Sequence, residues 1–298
     1  DIAPEFTSSA AYSADENQIA IGTVTATDAE DDEVTFSVSG SELVITSAGI
    51  LTFVEAPDYE TKSSYSATVT ASDGVNTSTQ DISITINNLN DNAPEFSSSA
   101  TFIAAENQTV IGAATATDAD GDTLTYSISG SAITINSSSG VIAFTSAPDY
   151  ETQTSYTATI SASDGVKTTT QAVTVNVLNL NDNSPVISSG SGFSVNENVV
   201  SIGQVLASDA DGDSLAYSIS GSEIEISSTG VISFVDTNGA DFETQSTYIA
   251  DVSVTDGLFI FEQSIIVTVN DTNDNTPIIS TTSLTPVSYT HLRAHETR

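Results

Sequence analysis

The chain has 298 residues, of which 40 are acidic and four basic, giving a formal net charge of −36, and it contains no Cys, Met or Trp. Such a surface repels nucleic acid and anionic lipid, whose protein affinity is carried by Lys and Arg, and the missing thiols exclude disulfides, thiolate catalysis and zinc–thiolate sites. No apolar run has the length of a membrane span and no signal peptide is legible, so no direct membrane insertion is expected in this segment; without a single Met it reads as an interior fragment of a longer product.

In chain order, a leading strand at residues 6–13 is followed by six more, at 19–26, 34–39, 43–46, 50–54, 65–71 and 82–86. Tyr65, Ala67, Val69 and Ala71 interleave with Ser66, Thr68 and Thr70, and Ile82, Ile84 and Ile86 interleave with Ser83 and Thr85. This period of two marks half-buried strands, and Gly, Asp, Asn and Ser clusters separate them. Seven antiparallel strands in about ninety residues predict an all-β fold, a seven-strand Greek-key β-sandwich of immunoglobulin-like type.

The unit then recurs. "NLNDNAPEF" ends at Phe96, "NLNDNSPVI" at Ile187 and "DTNDNTPII" at Ile279, and Asp1, Asp91, Asp182 and Asp274 occupy corresponding places at intervals of 90, 91 and 92 residues. "DEN", "AEN" and "NEN" align Glu16, Glu106 and Glu197; "DAEDD", "DADGD" and "DADGD" begin at Asp28, Asp118 and Asp209. "DYE", "DYE" and "DFE" begin at Asp58, Asp149 and Asp241, and "ASDG", "ASDG" and "VTDG" contribute Asp73, Asp164 and Asp256. A repeat of this length is a domain with its own core, which predicts three tandem domains at 1–92, 93–183 and 184–276. The remainder, 277–298, is set apart: "VSYTHLRAHETR" holds both His and both Arg, resembles a translated sequencing adapter and is expected to be artefactual.

Strand parity places the acids. If Glu16 is at the bottom of a sandwich, the next strand rises to Asp28 and Glu30; successive strands then return the chain to Asp58 and Glu60 below, Asp73 above and the linker Asn90, Asp91 and Asn92 below. The bottom of one domain faces the top of the next, so the first junction should gather Glu16, Asp58, Glu60 and Asp91 with Asp118, Asp120 and Asp164, and Asp122 as a further candidate. Two unit charges 4 Å apart repel by about 1 kcal/mol in water and about 4 kcal/mol at an effective dielectric near 20, so a compact empty junction should splay. Ca²⁺ resolves this conflict, because it takes six to eight oxygen ligands in irregular geometry, whereas Mg²⁺ demands a stricter octahedron. Asn90 and Asn92 add carbonyl oxygens without charge, and Pro94 stiffens the exit.

"DxNDNxP", "xEN", "DYE", "DAD" and "AxDG", in this order and three times over residues 1–277, resemble the signature set of the cadherin repeat, in the compact form of bacterial chains. The resemblance implies up to three Ca²⁺ per junction in tandem extracellular rods, with a second junction made by Glu106, Asp149, Glu151, Asn181, Asp182 and Asn183 with Asp209, Asp211 and Asp256. It leaves half-sites at the ends: Asp28, Glu30 and Asp73 at one, and Glu197, Asp241, Glu243, Asn273, Asp274 and Asn275 at the other. It also implies calcium-dependent adhesion at a cell surface, the chain being anchored through regions outside this fragment. The expected partners are another copy of the chain, another cell-surface protein or a polysaccharide. The alternatives are a passive stalk in a secreted enzyme, or a carbohydrate-binding module.

An EF-hand reading of "DADGD" fails, because the sixth and twelfth places from Asp118 hold Thr123 and Ser129 instead of Gly and Glu. Paired acids such as Asp58 and Glu60 do not mark a glycosidase, since every pair recurs in each copy; no enzyme is expected. Tyr59, Tyr150 and Phe242 are expected to seal the bottom of each core. Phe259 and Phe261 break the repeat, replacing Asn76 and Ser78 or Lys167 and Thr169 at positions expected to be solvated; a repacked hairpin or a partner-binding patch would explain them.

Overall fold

The computed structural model describes residues 2–278; Asp1, Ile279 and the rest of the expected artefactual tail lie outside the described residues. Every element among them is a strand. In the first repeat these are β1 (Glu5–Phe6), β2 (Ala11–Asp15), β3 (Ala20–Thr23), β4 (Ala26–Thr27), β5 (Thr35–Val38), β6 (Leu43–Ile45), β7 (Ile50–Phe53), β8 (Ser64–Ser72) and β9 (Thr77–Asn87). They form a four-stranded sheet in the order β2-β9-β8-β5, a three-stranded sheet β3-β7-β6 and a short pair β1-β4, and the second and third repeats reproduce this order strand for strand.

The predicted alternation is the origin of the core. Val69, Ile82, Ile84 and Ile86 project from one sheet onto Leu43, Leu51 and Phe53 from the other and onto Val24 between β3 and β4, forming one apolar cluster; equivalent clusters fill the second and third repeats. Burying each such aliphatic side chain is worth about 1.5–3 kcal/mol. Phe53 meets the edge of Tyr65 at 4.9 Å and 62°, a pairing repeated by Phe144 with Tyr156 and by Phe234 with Tyr248, both at 5.0 Å. Tyr59, Tyr150 and Phe242 pack against their respective cores, as expected.

The chain divides into two compact units, one ending at Leu180 and one beginning at Asn181. The first holds two sandwiches with separate cores and the linker between them; the second holds the third sandwich.

Three local expectations are corrected. The leading strand is two segments, because after β1 the chain crosses to the other sheet, with the Thr7 and Ser8 amides both donating to the Thr25 carbonyl oxygen. The sheets are therefore not wholly antiparallel: β2 runs parallel to β9, from Ala11 opposite Ser83 to Asp15 opposite Asn87. The predicted second strand is likewise interrupted after Thr23. There the buried Val24 donates its amide to the Gly49 carbonyl oxygen, and the chain turns to meet β1. Gly49 has φ of +82°, and a Cβ on it would lie 2.1 Å from the Val24 oxygen; only glycine fits this turn. Third, Asn76, Ser78, Lys167 and Thr169, expected to be solvated, are all half-buried.

Candidate metal centres at the ends of the repeats

The buried polar residues among those described are Glu16, Glu106 and Glu197, at 2%, 2% and 3% exposure. A charge in such a place must be hydrogen-bonded, and each is bonded in the same way. Glu16 accepts from the Tyr59 amide on one oxygen and from the Leu89 amide on the other, both at 2.8 Å. Glu106 does the same with Tyr150 and Leu180 at 2.7 Å, and Glu197 with Phe242 at 3.0 Å and Thr272 at 2.6 Å. The Thr272 and Phe242 bonds hold the Glu197 carboxyl below its ordinary range. One carboxylate thus ties the acidic turn of each repeat to the start of its exit linker. The Asn that follows each glutamate is left-handed, with φ near 61° at Asn17, 62° at Asn107 and 61° at Asn198. Asn17 donates its amide to the Asp91 carboxylate, and Asn198 to that of Asp274 at 2.7 Å.

Around the first linker the structure brings both sides together. The carboxylates of Glu16, Glu60, Asp91 and Asp120 each place an oxygen within 4.8 Å of the others. Asp120 accepts from the amides of Asp91 at 3.0 Å and Asn92 at 2.8 Å, and from the Asn92 side chain at 2.8 Å. Asn88 bonds the Asp120 carbonyl oxygen at 2.8 Å, and Lys167 donates its ammonium to the Asp91 carbonyl oxygen. Burial, then the charges of Glu16 and Asp120, push the Glu60 carboxyl up. Burial also raises Asp120, but the Asn92 and Asp91 donors outweigh it and leave its carboxyl lowered. Glu30 takes the place of Asp120 in the first repeat, accepting from the Ile2 amide at 3.2 Å. Asp211 takes it in the third, accepting from Asp182 at 3.0 Å and Asn183 at 2.8 Å.

The aspartates of "DAD" and "DG" share one further property. Asp73 Oδ1 accepts from Val75 and Asn76 at 2.7 and 2.6 Å; Asp164 Oδ1 from Val166 and Lys167 at 2.6 Å; Asp256 Oδ1 from Leu258 and Phe259 at 2.7 Å. Asp28, Asp118 and Asp209 likewise give Oδ1 to amides of their own loops. In all six residues Oδ2 is buried without a hydrogen-bond partner, and so is the side-chain carbonyl oxygen of Asn90 and of Asn181. Buried acceptors left unsatisfied are rare and costly, and here the same atoms recur at corresponding places. The donor set is oxygen alone, which suits a hard divalent cation such as Ca²⁺.

Other expected ligands stand differently. Asp58, Asp149 and Asp241 close their own turns: each accepts from the hydroxyl three residues on, Thr61 and Thr152 at 2.8 Å and Thr244 at 2.7 Å. The Thr61 hydroxyl is the main reason the Asp58 carboxyl is lowered. Glu106, Asp149 and Glu151 belong to the first unit, and Asn181, Asp182 and Asn183 to the second. Asn273 and Asn275 are exposed beside Asp274, and Glu197 and Glu243 are joined by Asp271, which stands where the earlier linkers have Asn88 and Asn179. Asp122 and Asp213 each complete a trio with the two preceding aspartates of their loop. Asn17, Asn88 and Lys167 were missed as linker contacts; the invariable Asn after each glutamate was the one available signal.

Tandem β-sandwiches with carboxylate-lined ends define a class of repeat protein whose domains meet through acidic linkers. Residues 101–178 match the family description Cadherin domain. The chain is 33% identical to human Protocadherin Fat 1 over 301 residues, covering 89% of this chain and 6% of that protein. It is 33% identical to human Protocadherin-1 over 259 residues, covering 76% and 24%. Mouse Cadherin-23 EC22-24 superposes with a TM-score of 0.68 at 24% identity, covering 91% of this chain and all of that one. The Protocadherin GammaB4 extracellular domain gives 0.70 at 24% identity over 95% and 52%. The chain belongs to the cadherin repeat family; it spans only a small part of the full-length relatives.

Proposed function

We propose that these repeats bind Ca²⁺ at their linkers and that the bound ion holds successive sandwiches in a fixed relation, as part of an extracellular, calcium-dependent adhesion protein. The observation that carries this reading is the recurrent buried oxygen without a donor on Asp28, Asp73, Asp118, Asp164, Asp209 and Asp256. At the first linker, Glu16, Glu60, Asp91 and Asp120 would hold the ion with Asp118, Asp164 and Asn90, and Asp58 lies on the same turn as Glu60. On sequence grounds the reading extends to the corresponding residues of the second linker and to the half-sites at either end. Ca²⁺ supplies there the positive charge and oxygen coordination that the clustered carboxylates otherwise lack. The chain's own residues do the positioning: Glu16 fixes the linker to the acidic turn, Asp120 receives the linker amides, and Asp164 and Asp118 are oriented by their own loops.

No helix among the described residues is long and apolar enough to cross a membrane; in this proposal anchoring falls to regions outside this segment. The proposed partners are a second copy or another cell-surface protein. A Ca²⁺ titration of the full chain, followed by small-angle scattering and thermal melting with Mg²⁺ as control, tests the metal. Straightening and stabilisation with a midpoint near ~0.1–1 mM are expected; unchanged scattering and melting after chelation would overturn the reading. Bead aggregation with and without Ca²⁺ separates an adhesin from a passive stalk.

A further inference from the structure

A cleft lies between the edge of the three-stranded sheet and the acidic turn in the first and third repeats, and the two differ in charge. In the first repeat it measures about 370 Å³ and is lined by Glu42, Glu55 and Tyr65 among others. Lys62 reaches across it: the ammonium lies 2.6 and 2.8 Å from the two Glu42 carboxylate oxygens and 4.2 Å from the centre of the Tyr65 ring. An ammonium between a carboxylate and an aromatic face is held by charge and by the ring quadrupole together. The second repeat has Ala132, Ser146 and Gln153 in the places of Glu42, Glu55 and Lys62, so both the acids and the amine are gone.

The third repeat has kept the acids and lost the amine. Glu223, Asp236 and Tyr248 stand where Glu42, Glu55 and Tyr65 do, but the place of Lys62 is taken by Gln245. Gln245 turns away, donating to the Thr247 carbonyl oxygen at 3.0 Å, and the cleft measures about 530 Å³. Asp236 has only Oδ1 engaged, by the Asn238 backbone and side-chain amides at 2.9 and 3.1 Å. No hydrogen bond or ion pair among the described residues engages the Glu223 carboxylate. Burial, followed by the charges of Glu223, Asp241 and Asp236, raises the Tyr248 hydroxyl above its ordinary value, which registers the negative field in the cleft.

We propose that the third-repeat cleft receives an alkylammonium group, a lysine side chain of a partner chain, seated over the Tyr248 ring against Glu223 as Lys62 is seated over Tyr65. The first repeat is the template in cis, and the second has neither the acids nor the amine at the corresponding positions. The chain's two lysines are both engaged, Lys62 by Glu42 and Lys167 by the Asp91 carbonyl oxygen, so the donor is a different and more basic chain, which a net charge of −36 also attracts. Ca²⁺ is not required for this reading, since Asp241 at the rim has its carboxylate held by Thr244 and Glu243 at 2.7 and 3.1 Å.

The test is a titration of the full chain, labelled with ¹³C in its tyrosine rings, with N-acetyl-lysine methylamide and with the uncharged N-acetyl-norleucine methylamide, in Ca²⁺ and at low salt. The lysine compound is expected to shift Tyr248, leave Tyr65 and Tyr156 in place, and bind about tenfold more weakly after Glu223→Gln. Gln245→Lys, which restores the amine in cis, should abolish the response and raise the melting temperature of the third repeat. Equal shifts with the norleucine compound, equal shifts at Tyr156, or a titration unchanged in both variants would overturn the proposal.

Discussion

Replacing Glu16 by Gln separates the two tasks given to this side chain. At 2% exposure Glu16 is shielded from solvent, and it holds the Tyr59 and Leu89 amides at 2.8 Å. Hydrogen bonds to a charged group contribute about 1.5–3 kcal/mol each. A glutamine side chain there retains one acceptor oxygen and turns an NH₂ toward the other donor, so one bond is lost and the second becomes a neutral one, a cost of about 2–4 kcal/mol. For a domain near ninety residues that is a fall in melting temperature of ~8–16 °C at the lower figure. A second effect has the opposite sign: the substitution removes one of four carboxylates within 4.8 Å of each other, relieving repulsion wherever no cation offsets it. Melting should therefore fall in both media, but less in chelator than in saturating Ca²⁺, as read by calorimetry on the full chain. An unchanged melting temperature in both media refutes the tie between turn and linker. An equal fall in both refutes electrostatic crowding, leaving Glu16 a structural hydrogen-bond acceptor only.

Three further outcomes are expected. Asp164→Asn keeps an oxygen for the Val166 and Lys167 amides while removing charge, so it should raise the Ca²⁺ midpoint of the first unit about tenfold with little loss of stability in chelator; calorimetric titration checks both. Metal-free stability should pass through a maximum on acidification. The raised Glu60 and Glu243 carboxyls contribute stability that is present below their unfolded values near ~4.3 and lost as pH rises through their folded ones. The lowered Asp73, Asp120, Asp164 and Asp256 carboxyls contribute above ~3.9 and lose it below; a melting temperature that only falls from neutral pH downward in chelator contradicts this. Gly140→Ala should cost about 3 kcal/mol or more, since φ is +68° and its Cβ would lie 2.2 Å from the Ala114 oxygen. Gly121→Ala, at φ +82° with nothing within 4 Å, should cost only about 1–2 kcal/mol; urea unfolding of the two variants measures the difference.

The alternation of Ile82, Ile84 and Ile86 was enough to read the sandwich, because one face of each strand must be buried and the period states which. The parity of successive strands was enough to bring Glu16, Glu60, Asp91 and Asp120 to one linker. The parallel partnership of β2 and β9 was not legible, since it depends on how residues 8–10 cross between sheets, and nothing periodic marks a crossing. Nor does a motif tell which oxygen of an aspartate is already spent: Asp58 and Asp73 are both acids in turns, yet Thr61 takes up the Asp58 carboxylate while Asp73 keeps one oxygen buried and bare. The cleft of the third repeat was hidden for a related reason, because the loss of Lys62 at Gln245 has meaning only once Tyr248 and Glu223 are seen to line one space.

The parallel ladder of β2 and β9 has a mechanical consequence. The chain enters β2 from one end of the sandwich and leaves β9 at the other, so tension applied along the chain drags the two strands past each other lengthwise. The paired positions from Ala11 with Ser83 to Asp15 with Asn87 would then bear the load in concert and could not open one at a time, as they would if peeled. A repeat wired in this manner resists stretching through the β2–β9 ladder as a whole.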